Sequence, residues 1–106
     1  MASYVHKTID LTTDDTVIVP MNGRWGSVDT SVVVSFAGTG TVKVEGAISR
    51  LNRGETATWF DITNLTAVTA DASENIASTP FEALRVTGTT MAGGGAQVQI
   101  LSSGDA

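Results

Sequence analysis

The chain has 106 residues, no cysteine, six Lys plus Arg against eleven Asp plus Glu, and a formal net charge of −5. That length suits one domain with a single core, burying roughly two-thirds of the unfolded surface, and leaves no room for a second. The acidic balance excludes a nucleic-acid partner, whose affinity would come from clustered Lys and Arg, and the lack of cysteine excludes disulfides and thiolate metal sites. Val and Thr are abundant and long helix-favouring polar side chains scarce, so the expected class is all-β. No apolar run reaches the length of a membrane span, and MASYVHKTIDLTTDD has no basic leader followed by an apolar segment; the expectation is folding in a cytoplasm without export.

Residues Tyr4 to Leu11 alternate loosely, with Val5, Ile9 and Leu11 among polar neighbours, and predict a first strand. Thr12 to Asp15 is a polar break with Asx-turn chemistry, followed by the apolar run Thr16 to Val19, which Pro20 stops. Asn22-Gly23 marks a tight turn, so Met21 to Ser27 reads as an exposed loop. Val28 to Phe36 predicts the next strand. Its unbroken Val32-Val33-Val34 suggests cover on both faces and a central place in a sheet. Ala37 to Gly40 predicts a hairpin joining that strand to Thr41–Ser49.

In that following strand Val42, Val44, Gly46 and Ile48 fall on one face, and Lys43, Glu45, Ala47 and Ser49 on the other. Arg50 to Gly54 supplies a turn, with Asn52 and Gly54 able to take positive φ. The return strand carries Trp59, Phe60 and Ile62. Phe60 and Ile62 are expected in the core, with Trp59 at the core edge or covered by a partner. Leu65 to Ala77 alternates weakly and predicts one short strand, a bend at Asp71 and an extended approach to Pro80. In Phe81 to Thr90, Leu84 and Val86 point inward and Arg85 and Thr87 outward. Gly93-Gly94-Gly95 and the alternating Gln97 to Ile100 predict a closing hairpin. Seven to eight strands at about 10-residue spacing predict an antiparallel β-sandwich or jelly roll over residues 1–106, with a possible N-terminal arm at 1–11 and a flexible tail at 102–106.

The chemistry is mostly negative. His6 is the one histidine and no nucleophile elbow surrounds any serine, so no catalytic residue is assigned. Asp10, Asp14 and Asp15 lack the alternating spacing and following Glu of a calcium loop, and read as a solvated turn. Gly38-Thr39-Gly40 and Gly93-Gly94-Gly95 lack the Lys-Ser or Lys-Thr pair of a phosphate loop and read as turns. Asn64-Leu65-Thr66 matches a glycosylation acceptor, a tripeptide common by chance. No cofactor or metal is implied. The aromatic residues stand out, because Trp and its neighbours anchor interfaces and stack on sugars. Trp59 sits beside Phe60 in a strand, and Trp25 follows Asn22-Gly23-Arg24 in a loop. Met21, Arg24, Trp25 and Trp59 are the candidate interface residues.

The succession VEGAISRLNRGETATWFDIT, then TPFEALRVTGTT, a Gly-rich turn and AQVQIL, resembles small β-sandwich proteins of tailed-phage virions, among them head decoration or cement proteins and fibre-associated domains. The likeness covers residues 28–101 and rests on the Val-Glu-Gly strand end, Trp59-x-x-Ile62, Ala83-Leu84-Arg85-Val86 and a terminal hairpin. It implies a non-enzymatic virion protein that binds the major capsid protein as a homo-oligomer and braces the head against internal pressure. Residues 1–11 and the Met21–Trp25 loop are its expected contact elements. The alternative is a tail or fibre module for a receptor or glycan, with Asn22, Arg24 and Trp25 as the compact candidates.

Overall fold

A computed structural model describes residues 2–20, 28–48, 56–76 and 83–105. Among them are eight strands and no helix: β1 (Ala2–Leu11), β2 (Asp15–Pro20), β3 (Val28–Phe36), β4 (Thr39–Ala47), β5 (Phe60–Asp61), β6 (Ala72–Ile76), β7 (Ala83–Ala92) and β8 (Ala96–Asp105). They form two four-stranded antiparallel sheets, β1-β8-β3-β6 (sheet A) and β2-β7-β4-β5 (sheet B). Successive strands change sheet at every step except β4 to β5, so the sandwich is a jelly roll, the two-sheet, eight-strand architecture of paired Greek keys.

The alternation of Val and Leu with polar residues turns one face of each sheet inward. Ile9, Leu11, Val32, Val34, Val98 and Ile100 of sheet A meet Val19, Val42, Val44, Leu84 and Val86 of sheet B, all buried. Beyond β5 the chain keeps to the free edge of β4 without forming a regular strand. The Val44 amide donates to the Leu65 carbonyl at 2.9 Å, and Val42 and Val68 exchange bonds in both directions at 2.9 and 2.8 Å. Ile62, Leu65 and Val68 drop into the core from this edge, which also removes a long bare strand edge from solvent.

The fold class agrees with the sequence reading, and Leu84 and Val86 lie inside as expected. The strand partners differ from it. β3 and β4 lie in opposite sheets, and so do β7 and β8, so neither expected hairpin forms. The physical reason lies in the turns. The amides of Ala37 and Gly38 donate to the Gly95 carbonyl (3.1 and 2.9 Å), so the two Gly-rich connections bond to each other at one end of the sandwich instead of closing hairpins.

Val33 is 41% exposed between the fully buried Val32 and Val34; β3 is central, yet its outer face is open. Its three-valine run satisfies strand propensity, and only two of the three valines face the core. Residues 2–11, expected as an arm, pair with β8 along their whole length, from Ala2↔Asp105 to Leu11↔Ala96. Residues 102–105, expected as a tail, are the other half of that ladder. The bend at Asp71 has a defined cause, since its Oδ1 accepts the Phe36 amide at 2.8 Å immediately before β6 begins.

Candidate functional site

The outer face of sheet B carries the densest polar chemistry among the described residues. Register places Ile18, Arg85, Glu45 and Asp61 in one row across β2, β7, β4 and β5. Lys43 stands one pleat along β4. Arg85 donates from both Nε (3.0 Å) and Nη2 (2.8 Å) to Oε1 of Glu45. Lys43 Nζ lies 3.1 Å from Asp61 and 3.7 Å from the other Glu45 oxygen. Two cations and two carboxylates thus form one neutral network.

Glu45 is buried although it faces outward, and Ala47 and Ala83 beside it are buried too. The cover over Glu45 is layered. The guanidinium of Arg85 is hydrogen-bonded to the carboxylate, and it lies over the Trp59 ring, 4.7 Å from its carbon to the ring centroid. Such a stack contributes about 0.5–1 kcal/mol at a partly exposed site. Trp59 is therefore half-buried against its own chain at the edge of the sandwich.

The neighbouring corner is apolar and open. Phe60 pairs with Gly46, which offers no side chain to cover it, and Phe60 is 53% exposed. Ile48, two residues past Gly46 and diagonal to Phe60, is also exposed. Both were expected on the buried face. They keep the right parity, but they lie where β5 has shrunk to two residues and Phe60 faces a glycine, and both stay exposed. Ile62, by contrast, is buried as expected. Met21, Arg24 and Trp25 lie outside the described residues, as do Asn22, Asn52 and Gly54.

The other expectations are placed as follows. His6 is exposed on β1, the edge strand of sheet A. The three aspartates of the first turn do separate jobs. Asp10 accepts from Gln97 Nε2 (3.0 Å), Asp14 from the Met91 amide (2.8 Å) and Asp15 from the Thr16 amide (2.8 Å). Among the described residues no group of three His, Asp or Glu is placed to hold a metal ion. The Arg85–Glu45 pair and its Trp59 cap were not found from sequence, since the partners are forty residues apart; the one available signal was that both strands carry a charge on the face opposite their valines.

Lys43 titrates above the ordinary lysine value of 10.5, chiefly because its ammonium is hydrogen-bonded to Asp61 and attracted by Glu45. A raised folded value means that its stabilising contribution is intact below 10.5 and is lost as pH rises through the folded value. Thermal melts of wild type and Lys43→Met should therefore differ at pH 9 and draw together as pH rises past the ordinary lysine value and through the raised one. Curves that stay parallel would show that the Asp61 contact contributes nothing.

No protein-family model matches this sequence, and no curated protein matches it. Among solved structures, a protein of the Bacillus endospore appendages, which form disulfide-linked pili, matches with a TM-score of 0.53 and 13% identity over 97% of this chain and 88% of that one. The Yersinia pseudotuberculosis-derived mitogen matches with a TM-score of 0.48 and 9% identity over 100% of this chain and 86% of that one. The Tobacco streak virus coat protein matches with a TM-score of 0.47 and 8% identity over 96% of this chain and 84% of that one. Of the three, the endospore appendage protein shows a shared fold. Its disulfide link has no counterpart here, because this sequence has no cysteine.

Proposed function

We propose that the chain is a non-enzymatic structural protein of a virion, a decoration protein that binds the major capsid protein on the outer surface of the head and braces it. The observation that carries the reading is the filled jelly roll. This architecture serves viral capsids, lectins and cupins, and a ligand-holding version needs space between its sheets. Here Val32, Val34, Val42, Val44, Val86, Val98 and Ile100 meet in the middle with no exposure. Among the described residues the middle of the sandwich is filled with core side chains, so on this reading the contacts are made on the outer surface.

The resemblance of VEGAISRLNRGETATWFDIT and the strands after it to phage decoration proteins supplies the particle. The shared fold with an endospore appendage protein is compatible with work done by assembly. On this reading Trp59, Phe60 and Ile48 form the contact corner, and Met21, Arg24 and Trp25 stay candidate interface residues from the sequence alone. Cohesion would come from burying apolar area at roughly 25 cal/mol per Å², multiplied over many repeated copies.

The test is co-sedimentation of purified protein with undecorated capsid shells. Wild type should pellet with shells at micromolar concentration. Phe60→Ser should lower the bound fraction several-fold while shifting stability by less than about 1 kcal/mol, as for a surface change. Wild type left in the supernatant removes the reading.

A glycan- or receptor-binding module is the second reading. It is favoured by an open groove of about 330 Å³ between Asp10, Thr12, Ser35, Phe36, Gly94 and Gln97. A sugar titration that shifts the resonances of those residues and leaves the Phe60 corner unmoved would favour it.

A further inference from the structure

One end of sheet B contains an irregularity that the jelly roll itself does not require. β4 and β7 pair without interruption from Ala47↔Ala83 to Thr41↔Thr89, and again at Thr39↔Ala92. Between those pairs β4 has one residue, Gly40, and β7 has two, Thr90 and Met91, which makes a β-bulge. Thr90 takes a φ of +56°. That is left-handed backbone, where a β-branched side chain is an outlier, and such outliers concentrate at functional sites. The bulge has a definite result. Leu84, Val86 and Gly88 alternate inward along β7, which by parity would turn position 91 outward; the extra residue reverses this, and Met91 packs against the core.

The seat that receives Met91 is built from glycine. A Cβ added to Gly40 would collide with the Met91 sulfur and lie 2.9 Å from its methyl carbon. One added to Gly88 would lie 3.2 Å from both Cγ and the sulfur, and 3.3 Å from Leu11 Cδ1. The thioether therefore fills the space that two absent side chains leave, beside a leucine methyl at the end of the core. Met91 also ties down the first turn, because its amide donates to Asp14 Oδ1 at 2.8 Å. Yet the residue is only half-buried.

We propose that Met91 is an oxygen-accepting modification site, which takes one oxygen atom from a hydroperoxide and whose oxidised side chain no longer fits its seat. A sulfur lone pair attacks one peroxide oxygen, the S–O bond forms and the O–O bond breaks. Sulfur is oxidised by two electrons and the peroxide is reduced. With hydrogen peroxide the departing hydroxide takes the proton from the transferred oxygen, leaving methionine sulfoxide and water. The product is polar and larger at the atom held closest. The faces of Gly40 and Gly88 that meet it carry only Cα hydrogens, and Leu11 presents a methyl, so the seat gives the new oxygen no hydrogen bond. Leaving the seat is the way for that oxygen to reach water, and it pulls on the turn that Asp14 anchors. This site belongs to the free domain and does not depend on the capsid reading.

The test is to treat the folded full chain with hydrogen peroxide, map peptide masses and record thermal melts. Met91 should gain one oxygen while the protein is still folded, and the melting temperature should fall by about 4 °C or more, a shift readily resolved for a domain of this size. Amides of Leu11 to Asp14 and of Thr39 to Thr41 should exchange faster. Methionine sulfoxide reductases for both epimers should restore the mass and the melt. Met91→Leu, a change that keeps core volume, should melt close to untreated wild type and hold that melt in peroxide. The variant retains the other two methionines, Met1 and Met21, so a fall that it shares with wild type overturns the proposal. Should Met91→Leu not fold, wild type titrated with peroxide decides alone: the lower-melting fraction must track oxygen on Met91, and tracking oxygen on Met1 or Met21 overturns the site. Met91 left unmodified until the chain unfolds also overturns it, as does a fully oxidised Met91 with an unchanged melt.

Discussion

Gly95→Ala is expected to destabilise the domain by about 3 kcal/mol or more, the sum of a left-handed backbone that a side chain resists at about 1–2 kcal/mol and a collision that the neighbours cannot relieve. Gly95 has φ +63°. An added Cβ would run into the Leu11 carbonyl oxygen and sit 3.0 Å from Thr12 Cα, both backbone atoms. Leu11 is buried and ends the ladder that pairs β1 with β8, so the first turn cannot step aside without opening sheet A. Moving Gly95 instead would break the bonds that its carbonyl accepts from Ala37 and Gly38 and the one that its amide donates to Ala92. These bonds join the β3–β4 and β7–β8 connections at one end of the jelly roll. Denaturant unfolding of Gly95→Ala measures the loss. A loss below 1 kcal/mol would mean that this end is not the rigid closure described above. Gly94→Ala gives the contrast: its φ of +98° is strained too, but its nearest neighbour would be the Ala37 side chain at 3.4 Å, an ordinary contact.

The sequence made much of the fold legible where alternation is strong, and misled where a choice is made far along the chain. Leu84, Val86, Val42 and Val44 declare their faces by local period, and sheet geometry enforces it. Whether Gly38–Gly40 closes a hairpin or carries the chain into the opposite sheet is set by what Gly95 offers in return, fifty-five residues away or more, and no local pattern encodes that. The β1–β8 ladder escaped for a similar reason. Tyr4–Leu11 and Gln97–Ile100 each read as a strand, but nothing in either segment marks the other as its partner. At the site, Lys43, Glu45 and Arg85 were readable as outward charges. Their union into one network under Trp59 needed the register of β4 against β7.

Leu65→Ala should cost about 2–5 kcal/mol, the range for truncating a buried leucine that leaves a cavity, whereas Phe60→Ala should cost less than about 1 kcal/mol. Size and aromatic character alone reverse that order, and Phe60 looked like the core residue for that reason. Burial decides otherwise. Leu65 is fully buried, while Phe60 is 53% exposed opposite a glycine. Leu65 also fixes backbone, because its amide donates to the Ile62 carbonyl (2.9 Å) and its own carbonyl takes the Val44 amide. Asn64 just before it holds φ +70°, a conformation that asparagine tolerates better than most residues, which turns the chain inward at that point. Losing the Leu65 side chain empties the space that draws this irregular segment onto β4, so amides of β4 should also exchange faster than the remaining stability alone would allow. Equal losses for the two variants would mean that the β4 edge is held by the aromatic corner after all. A large loss confined to Leu65 leaves Phe60 with no folding role to explain its exposure and supports its place at a contact.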